Sequence, residues 1–234
     1  MLVWMRHRSE TETVEVDSDD YCTTLTRRFL DAQLAADRHA AVRIVIEDGV
    51  QRGIDARRIM LDVIRPAQKQ IGQLWQDNAI SVADEHVATA ISQLALAQLY
   101  PYAKRNPDTE RRILVACVDG ELHDMGARLA ADMLDLEGHD VIFLGASVPV
   151  DSLVARARAD RPDLIVLSIT MTFHIAALGE AVRRLRSELS PAPPIAAGGR
   201  AIAWCPELKQ SLDLAASGED ARALITDVQR HFRK

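Results

Sequence analysis

The sequence predicts an α/β protein built from two unlike units, an N-terminal four-helix bundle and a flavodoxin-like (Rossmann-like) domain with a five-stranded parallel sheet. Three observations carry that expectation. Between Asp20 and Lys104 the apolar residues recur at helical spacing throughout. Beyond about Arg112 they gather instead into short runs separated by helix-length segments. Between the two lies P-Y-A-K-R-N-P-D-T-E (Pro101 to Glu110), a linker by composition. The expected organisation is a flexible tail at 1–19, the bundle at 20–104, a linker at 105–111 and the sheet domain at 112–234.

The tail is polar and acidic, the composition of a frayed terminus. Tyr21 to Ala36 and Ala40 to Gln51 are rich in Leu, Ala and Val at helical spacing, and Gly49 and Gly53 bracket the turn that follows. Ile54 to Trp75 repeats Ile59, Met60, Val63, Ile64, Ile71 and Leu74. Pro66 interrupts it and is expected to kink the helix, because proline has no N–H to give. Ser81, followed by Asp84 and Glu85, predicts the cap of a fourth helix running to about Tyr100. Short links between four helices make a bundle.

In the second unit the apolar runs are Ile113–Val118, Asp140–Leu144, Leu164–Thr170 and Ile195–Ala197, with Leu212–Ala216 a weaker fifth. Helices between them are marked by Leu129/Met133/Leu136, Leu153/Ala157 and Leu178/Val182/Leu185. Strands apolar on both faces and alternating with helices predict a parallel sheet covered on both sides. Five such units fit the strand order 2-1-3-4-5.

Composition bounds the function. The chain has 234 residues, 48% apolar and 26% charged, enough to bury a core. A formal net charge of −6 argues against non-specific binding to nucleic acid or anionic membrane. No run approaches the roughly eighteen apolar residues of a membrane span. The first residues, M-L-V-W-M-R-H-R-S-E, lack the apolar core of a secretory signal. Cys22, Cys117 and Cys205 are odd in number and far apart, which predicts neither a disulfide frame nor a zinc knuckle. A cytoplasmic protein is expected.

Ligands of an open parallel sheet sit at the carboxyl ends of its strands, and the polar residues fall there. Strand one delivers Asp119, Glu121, His123, Asp124 and Gly126; strand two, Gly145, Ser147 and Pro149; strand three, Ser168, Thr170 and Thr172; strand four, Gly198, Gly199 and Arg200. A phospho-acceptor domain of this winding needs an acid at the end of strand three, where Ser168 stands. A nucleotide site would want a glycine-rich loop after strand one, and there is none. An isolated histidine is more often structural than a ligand, so the company of His123 has to decide.

That company has a pattern. E-L-H-D-M-G (Glu121 to Gly126) resembles the D/E-x-H-x-x-G signature of cobalamin-binding domains. S-I-T (Ser168 to Thr170) and G-G (Gly198–Gly199) resemble the same family's second and third motifs, in the right order. The resemblance spans about 27–230. It implies that the cofactor's dimethylbenzimidazole tail enters a slot between strands while His123 takes the lower position on cobalt, where a neutral imidazole suits the metal. Glu121 would accept the other ring N–H and fix the tautomer; the family more often has Asp there. Gly126 would allow close approach of the backbone, with Asp124 beside it. Ser168 and Thr170 would line the tail slot, and Gly198 and Gly199 would leave room for it.

In the helical half, Trp75 and the pair Glu85–His86 resemble the W-x9-E-H signature of adenosylcobalamin-dependent CarH-type photoreceptors. The resemblance implies that Trp75 lids the upper face of the corrin while Glu85 and His86 engage the adenosyl group. Two departures matter. Gln76 stands where the family has a histidine able to bind cobalt after photolysis, and an amide is a poor replacement. The family also begins with a winged-helix DNA-binding domain, for which the stretch before the bundle is too short, so direct DNA binding is not expected. The reading is a non-enzymatic, cobalamin-binding light sensor that alters its assembly as a homo-oligomer or its contact with a regulator protein. The alternative is a corrinoid carrier subunit with a methyltransferase partner, loaded with methylcobalamin rather than adenosylcobalamin. A mutase would need a large catalytic barrel that this chain has no room for.

Overall fold

The computed structural model describes residues 18–233. The expected tail falls almost wholly on residues 1–17, outside the described residues. The helical half runs α1 (Ser18–Leu34), α2 (Arg38–Ile46), α3 (Ala56–Ile59), α4 (Arg65–Gln76) and α5 (Val82–Leu99). Phe29, Leu25, Ile59, Met60, Ile64, Leu96 and Leu99 are fully buried among these helices. Asp37 caps α2 by accepting from the Ala40 N–H, and Asp55 caps α3 through Arg57 and Arg58. Ser81 and Asp84 form the reciprocal capping box that opens α5.

The kink expected at Pro66 takes another form. A π-helical turn, Met60–Ile64, joins α3 to α4 just ahead of the proline, and the helix continues through it. Pro66 cannot donate to the carbonyl of Asp62, four residues earlier. The Thr26 hydroxyl, 3.0 Å from that carbonyl and 2.9 Å from the Cys22 carbonyl, supplies a donor from α1. A tertiary bond thus offsets the missing helical one.

The second half runs β1 (Arg112–Cys117), α6 (Met125–Leu136), β2 (Asp140–Phe143), α7 (Val150–Asp160), β3 (Leu164–Ser168), α8 (Ile175–Glu188), β4 (Ile195–Gly198), α9 (Arg200–Trp204), α10 (Leu208–Ser211), β5 (Ala216–Gly218) and α11 (Ala221–Phe232). The five strands are parallel in the order 2-1-3-4-5. Alternation along β1 divides the core. Ile113, Val115 and Cys117 pack with α6 and α11 in a cluster that runs on into the helical half. Leu114 and Ala116 pack with α7 and α8.

The fifth strand corrects the sequence reading. Leu212 and Leu214 are not in it; they follow the short α10 and pack under the sheet, with a left-handed turn at Asp213 between them. The apolar pair marks that packing, and the strand begins only at Ala216. The segment 105–111 is fastened to the sheet half: Asn106 N–H donates to Leu136 O, and Thr109 N–H to Gly138 O.

The two halves meet along α6 and α11. Arg57 donates to Glu137 at 2.9 Å and to the carbonyls of Lys104 and Leu136. Arg65 pairs with Asp220, and Arg222 with Asp62 at 2.6 Å. No helix among the described residues is long and apolar enough to cross a membrane.

Candidate functional site

The β1–α6 loop leaves the sheet through Gly120, at φ +80°, where an added Cβ would lie 2.9 Å from Cε1 of His174. Ser147 ties this loop to the one after β2: its hydroxyl accepts from the Gly120 N–H at 3.1 Å, and its own N–H donates to Glu121 O at 2.8 Å. The Glu121 side chain is 0% exposed. A buried carboxylate needs donors, and four N–H groups supply them. Oε1 accepts from the His123 backbone at 3.0 Å and lies 2.6 Å from His123 Nδ1; Oε2 accepts from the N–H groups of Thr170 at 2.8 Å and Met171 at 3.0 Å. Burial alone would raise the acid's pKa, but the bonds from His123, Met171 and Thr170 overcome it and hold the group down at about 2. Glu121 therefore joins the first and third loops as one fixed anion.

His123 is the outward member of that pair. Its side chain is 48% exposed, Nδ1 is occupied by Glu121, and Nε2 has no hydrogen-bond partner among the described residues. With Nδ1 as donor, Nε2 keeps its lone pair. The bond to Glu121 raises the imidazole's pKa against the opposing effect of burial; Glu85 raises it further and Arg200 lowers it. Both residues stand where the helical half faces the sheet, Glu85 on α5 and Arg200 on α9. Arg200 also reaches across to the bundle, its Nη2 3.8 Å from where a Cβ on Gly72 would stand. Gln93 of α5 donates to Asp124 at 3.3 Å.

The other expected residues divide. Ser168 is buried at the end of β3, and Thr170 contributes its backbone N–H to Glu121. Gly126 is exposed, with open space where a side chain would be. Gly199 is demanded by the chain's own packing, since a Cβ there, at φ +114°, would lie 2.1 Å from Ile169 O, while a Cβ on Gly198 would press the Leu224 side chain at 3.0 Å. Trp75 is half-buried near the end of α4. Glu85 accepts from Thr89 at 2.6 Å and lies 2.7 Å from His86 Nδ1, with His86 itself exposed.

Three residues at this edge escaped the sequence reading. Leu122, Phe173 and Trp204 follow β1, β3 and β4 and are 73%, 69% and 59% exposed. Leaving such side chains in water forgoes about 2 kcal/mol each, so an exposed set at the end of the sheet that carries His123 is a candidate surface for an apolar ligand. Arg200 lies over the Trp204 ring at 6.0 Å. The available signal was a large apolar residue in the polar segments after β1 and β3, and a tryptophan at the end of the short helix after β4.

A corrin fits this donor set. Among the described residues no group of three or more His, Cys, Asp or Glu side chains could hold a bare metal ion. A single free nitrogen suits a metal that arrives with its other ligands already attached, and the apolar edge suits the body of a macrocycle.

Comparison with known proteins agrees. A B12 binding domain model matches residues 111–225, and a second B12 binding domain model matches residues 25–100. The chain belongs to the cobalamin-binding domain proteins, and its cofactor is cobalamin. This cobalamin-binding protein is 28% identical over 186 residues to the HTH-type transcriptional repressor CarH of Myxococcus xanthus, covering 79% of the chain and 60% of the relative. Trimethylamine corrinoid protein 1 of Methanosarcina acetivorans is 23% identical over 145 residues, covering 61% of the chain and 64% of the relative. The chain thus spans just under two thirds of the length of these relatives. The structure of the Methanosarcina barkeri monomethylamine corrinoid protein superposes with a TM-score of 0.76 at 20% identity, covering 88% of this chain and 98% of that one. That likeness establishes a shared fold.

Proposed function

We propose that the protein is a light-responsive regulatory module that holds adenosylcobalamin between a helical lid, 20–104, and a sheet-domain floor, 112–234. The observation that carries this reading is the His123–Glu121 pair, whose loop meets α5 of the bundle through the bond from Gln93 to Asp124, about two helical turns beyond Glu85. When bound, the cofactor supplies a cobalt–carbon bond that light can break. The chain's own residues do the rest. His123 offers Nε2 to cobalt, with Glu121 fixing its tautomer. Asp124 and Gly126 continue the loop at the edge of the macrocycle. Ser168, Thr170, Gly198 and Gly199 shape the region that takes the tail. Trp75 shields the upper face from water, and Glu85 and His86 hold the adenosyl hydroxyls and base.

Glu85 and His86 would have an adenosyl partner in one state and none in the other, so the two states would differ in contacts, as any switch requires. The lid then shifts, and self-association or contact with a regulator protein changes. No independent catalytic turnover is assigned. The test is size-exclusion chromatography of adenosylcobalamin-loaded protein, kept dark and then illuminated. A light-dependent change in mass or in partner capture is expected; identical profiles in both conditions would defeat the proposal.

A second reading is supported by the relatives named corrinoid proteins. In it the chain is a methyl-carrying subunit that docks on a methyltransferase. Tighter binding of methylcobalamin than of adenosylcobalamin, with no response to light, would favour it.

A further inference from the structure

The bundle holds a chain of polar side chains that ends on Glu85. Gln33 of α1, only 2% exposed, donates from Nε2 to Gln68 Oε1 at 3.2 Å, to Ser92 Oγ at 2.9 Å and to Ala88 O at 3.0 Å. Ser92, also buried, donates to Gln68 Oε1 at 2.9 Å. Gln68 of α4 donates from Nε2 to Thr89 Oγ1 at 2.6 Å, and Thr89 donates to Glu85 Oε1 at 2.6 Å. Every link between these residues points one way, from the buried amide of α1 to the carboxylate on α5. At the far end, Gln33 Oε1 is buried with no partner among the described residues.

An apolar bundle has no need of such a chain for stability. Buried polar groups at best recover the cost of leaving water, and an orphaned oxygen adds to that cost. What a one-way chain does provide is direction. Each donor polarises the next, and a threonine hydroxyl whose acceptor side is filled by Gln68 has one orientation left for its proton. Glu85 is thereby held by Thr89 on Oε1 and by His86 on Oε2, with the remaining lone pairs of both oxygens free for an outside donor.

We infer that Gln33, Ser92, Gln68 and Thr89 are positioning residues that fix Glu85 as a hydroxyl-accepting fork, and so set the protein's preference for the upper ligand of cobalamin. The inference rests on the proposal that the cofactor lies under α5. An adenosyl group carries two ribose hydroxyls that can donate to such a fork; a methyl group carries none. The relay therefore selects adenosylcobalamin over methylcobalamin, and it ties helix α1 to the upper face.

The experiment titrates the full chain in the dark with adenosylcobalamin and, separately, methylcobalamin, following absorbance. The variants are Thr89→Val, which keeps the shape and loses the hydroxyl, Thr89→Ser, which restores it, and Gln33→Leu at the far end. Thr89→Val is expected to weaken adenosylcobalamin binding about tenfold, the loss of one hydrogen bond to a charged group. Methylcobalamin should change less than about twofold, and Thr89→Ser should recover the wild-type ratio. Gln33→Leu should lower the same ratio by about threefold, and decides the matter if Thr89→Val does not fold. Equal losses for both cobalamins, or a ratio unmoved in Thr89→Val and Gln33→Leu, would overturn the relay and leave the cobalamin site standing. Failure of the wild-type chain to bind either cobalamin would overturn the proposed site and the relay together.

Discussion

The two edges of the interface between bundle and sheet domain are built differently. At one edge three arginines cross between the halves: Arg57 onto Glu137 and the Leu136 carbonyl, Arg65 onto Asp220, and Arg222 onto Asp62. Nearby, the Tyr100 hydroxyl donates to Asp135, and burial together with that bond pushes its pKa up to about 12. At the other edge, around His123, the direct bond across the gap is the 3.3 Å contact of Gln93 with Asp124. Large apolar side chains stand in water there, and a histidine nitrogen has no partner among the described residues. One edge is fastened by charge, and the other is the edge at which we propose that the cofactor binds. Directed bonds hold the first shut without the cofactor, whereas the second gains its apolar contacts only when something flat fills it.

That contrast can be broken or sharpened by substitution. The largest effect is expected at Glu121. Its carboxyl is held from an ordinary 4.5 down to about 2, a difference worth about 3 kcal/mol of stability. Because the folded value is depressed, this contribution is present above pH 4.5 and disappears as the pH falls toward 2. Glu121→Gln, which sets an amide against four N–H donors, should cost at least that ~3 kcal/mol at pH 7 in urea unfolding and much less at pH 3. A neutral substitution at pH 7 would mean that the open edge has no rigid floor.

Arg57→Ala should cost about 1–2 kcal/mol by taking the guanidinium away from half-buried Glu137 and from the Lys104 carbonyl, while Glu137 keeps Asn106 and Gln229 and the Leu136 carbonyl keeps the Asn106 N–H. It should also loosen the fastened edge. Hydrogen exchange should then speed up along the C-terminal turn of α6 while the amides of Thr170 and Met171 stay protected. Equal deprotection at both edges would remove the distinction between them.

Asp132 of α6 works in the opposite direction. Burial, only partly countered by Arg128, raises its carboxyl to about 6. A raised acid contributes its full stability below pH 3.8 and loses it as the pH climbs through about 6, so the charged form is a burden at neutral pH. Asp132→Asn should stabilise the protein by about 2 kcal/mol at pH 8 and by almost nothing at pH 4, read from thermal unfolding at both values. The smallest effect belongs to Thr26→Val, which strips the Asp62 carbonyl of its donor and should cost about 1 kcal/mol.

Much of this was legible in the residues. The change of apolar period announced the helical half and the parallel sheet, and the three short motifs named the cofactor class. Glu121 and His123 could be paired two residues apart because the glutamate can reach back to Nδ1. Other features depend on residues far apart in the chain. The π turn before Pro66 rests on Thr26 of another helix, and no local pattern announces that. The fifth strand was misplaced because Leu212 and Leu214 share its apolar character while packing outside it. The reason for Gly198–Gly199 was also only partly visible: the sequence offered room for a ligand, whereas the Ile169 carbonyl already forbids a side chain at Gly199 and Leu224 crowds Gly198. The relay behind Glu85 brings together Gln33, Gln68, Thr89 and Ser92 from three helices, which only the packed bundle reveals.

The central claim is that the free nitrogen of His123 binds the cobalt of the bound cobalamin from below. The direct measurement is electron paramagnetic resonance of the protein-bound cofactor reduced to its cobalt(II) state, with unlabelled and with ¹⁵N-histidine-labelled protein. The account predicts that the nitrogen splitting changes from a triplet to a doublet on labelling, and that neither pattern survives in His123→Ala. A triplet that persists in the ¹⁵N-labelled protein, as the cofactor's own benzimidazole would give, would contradict it.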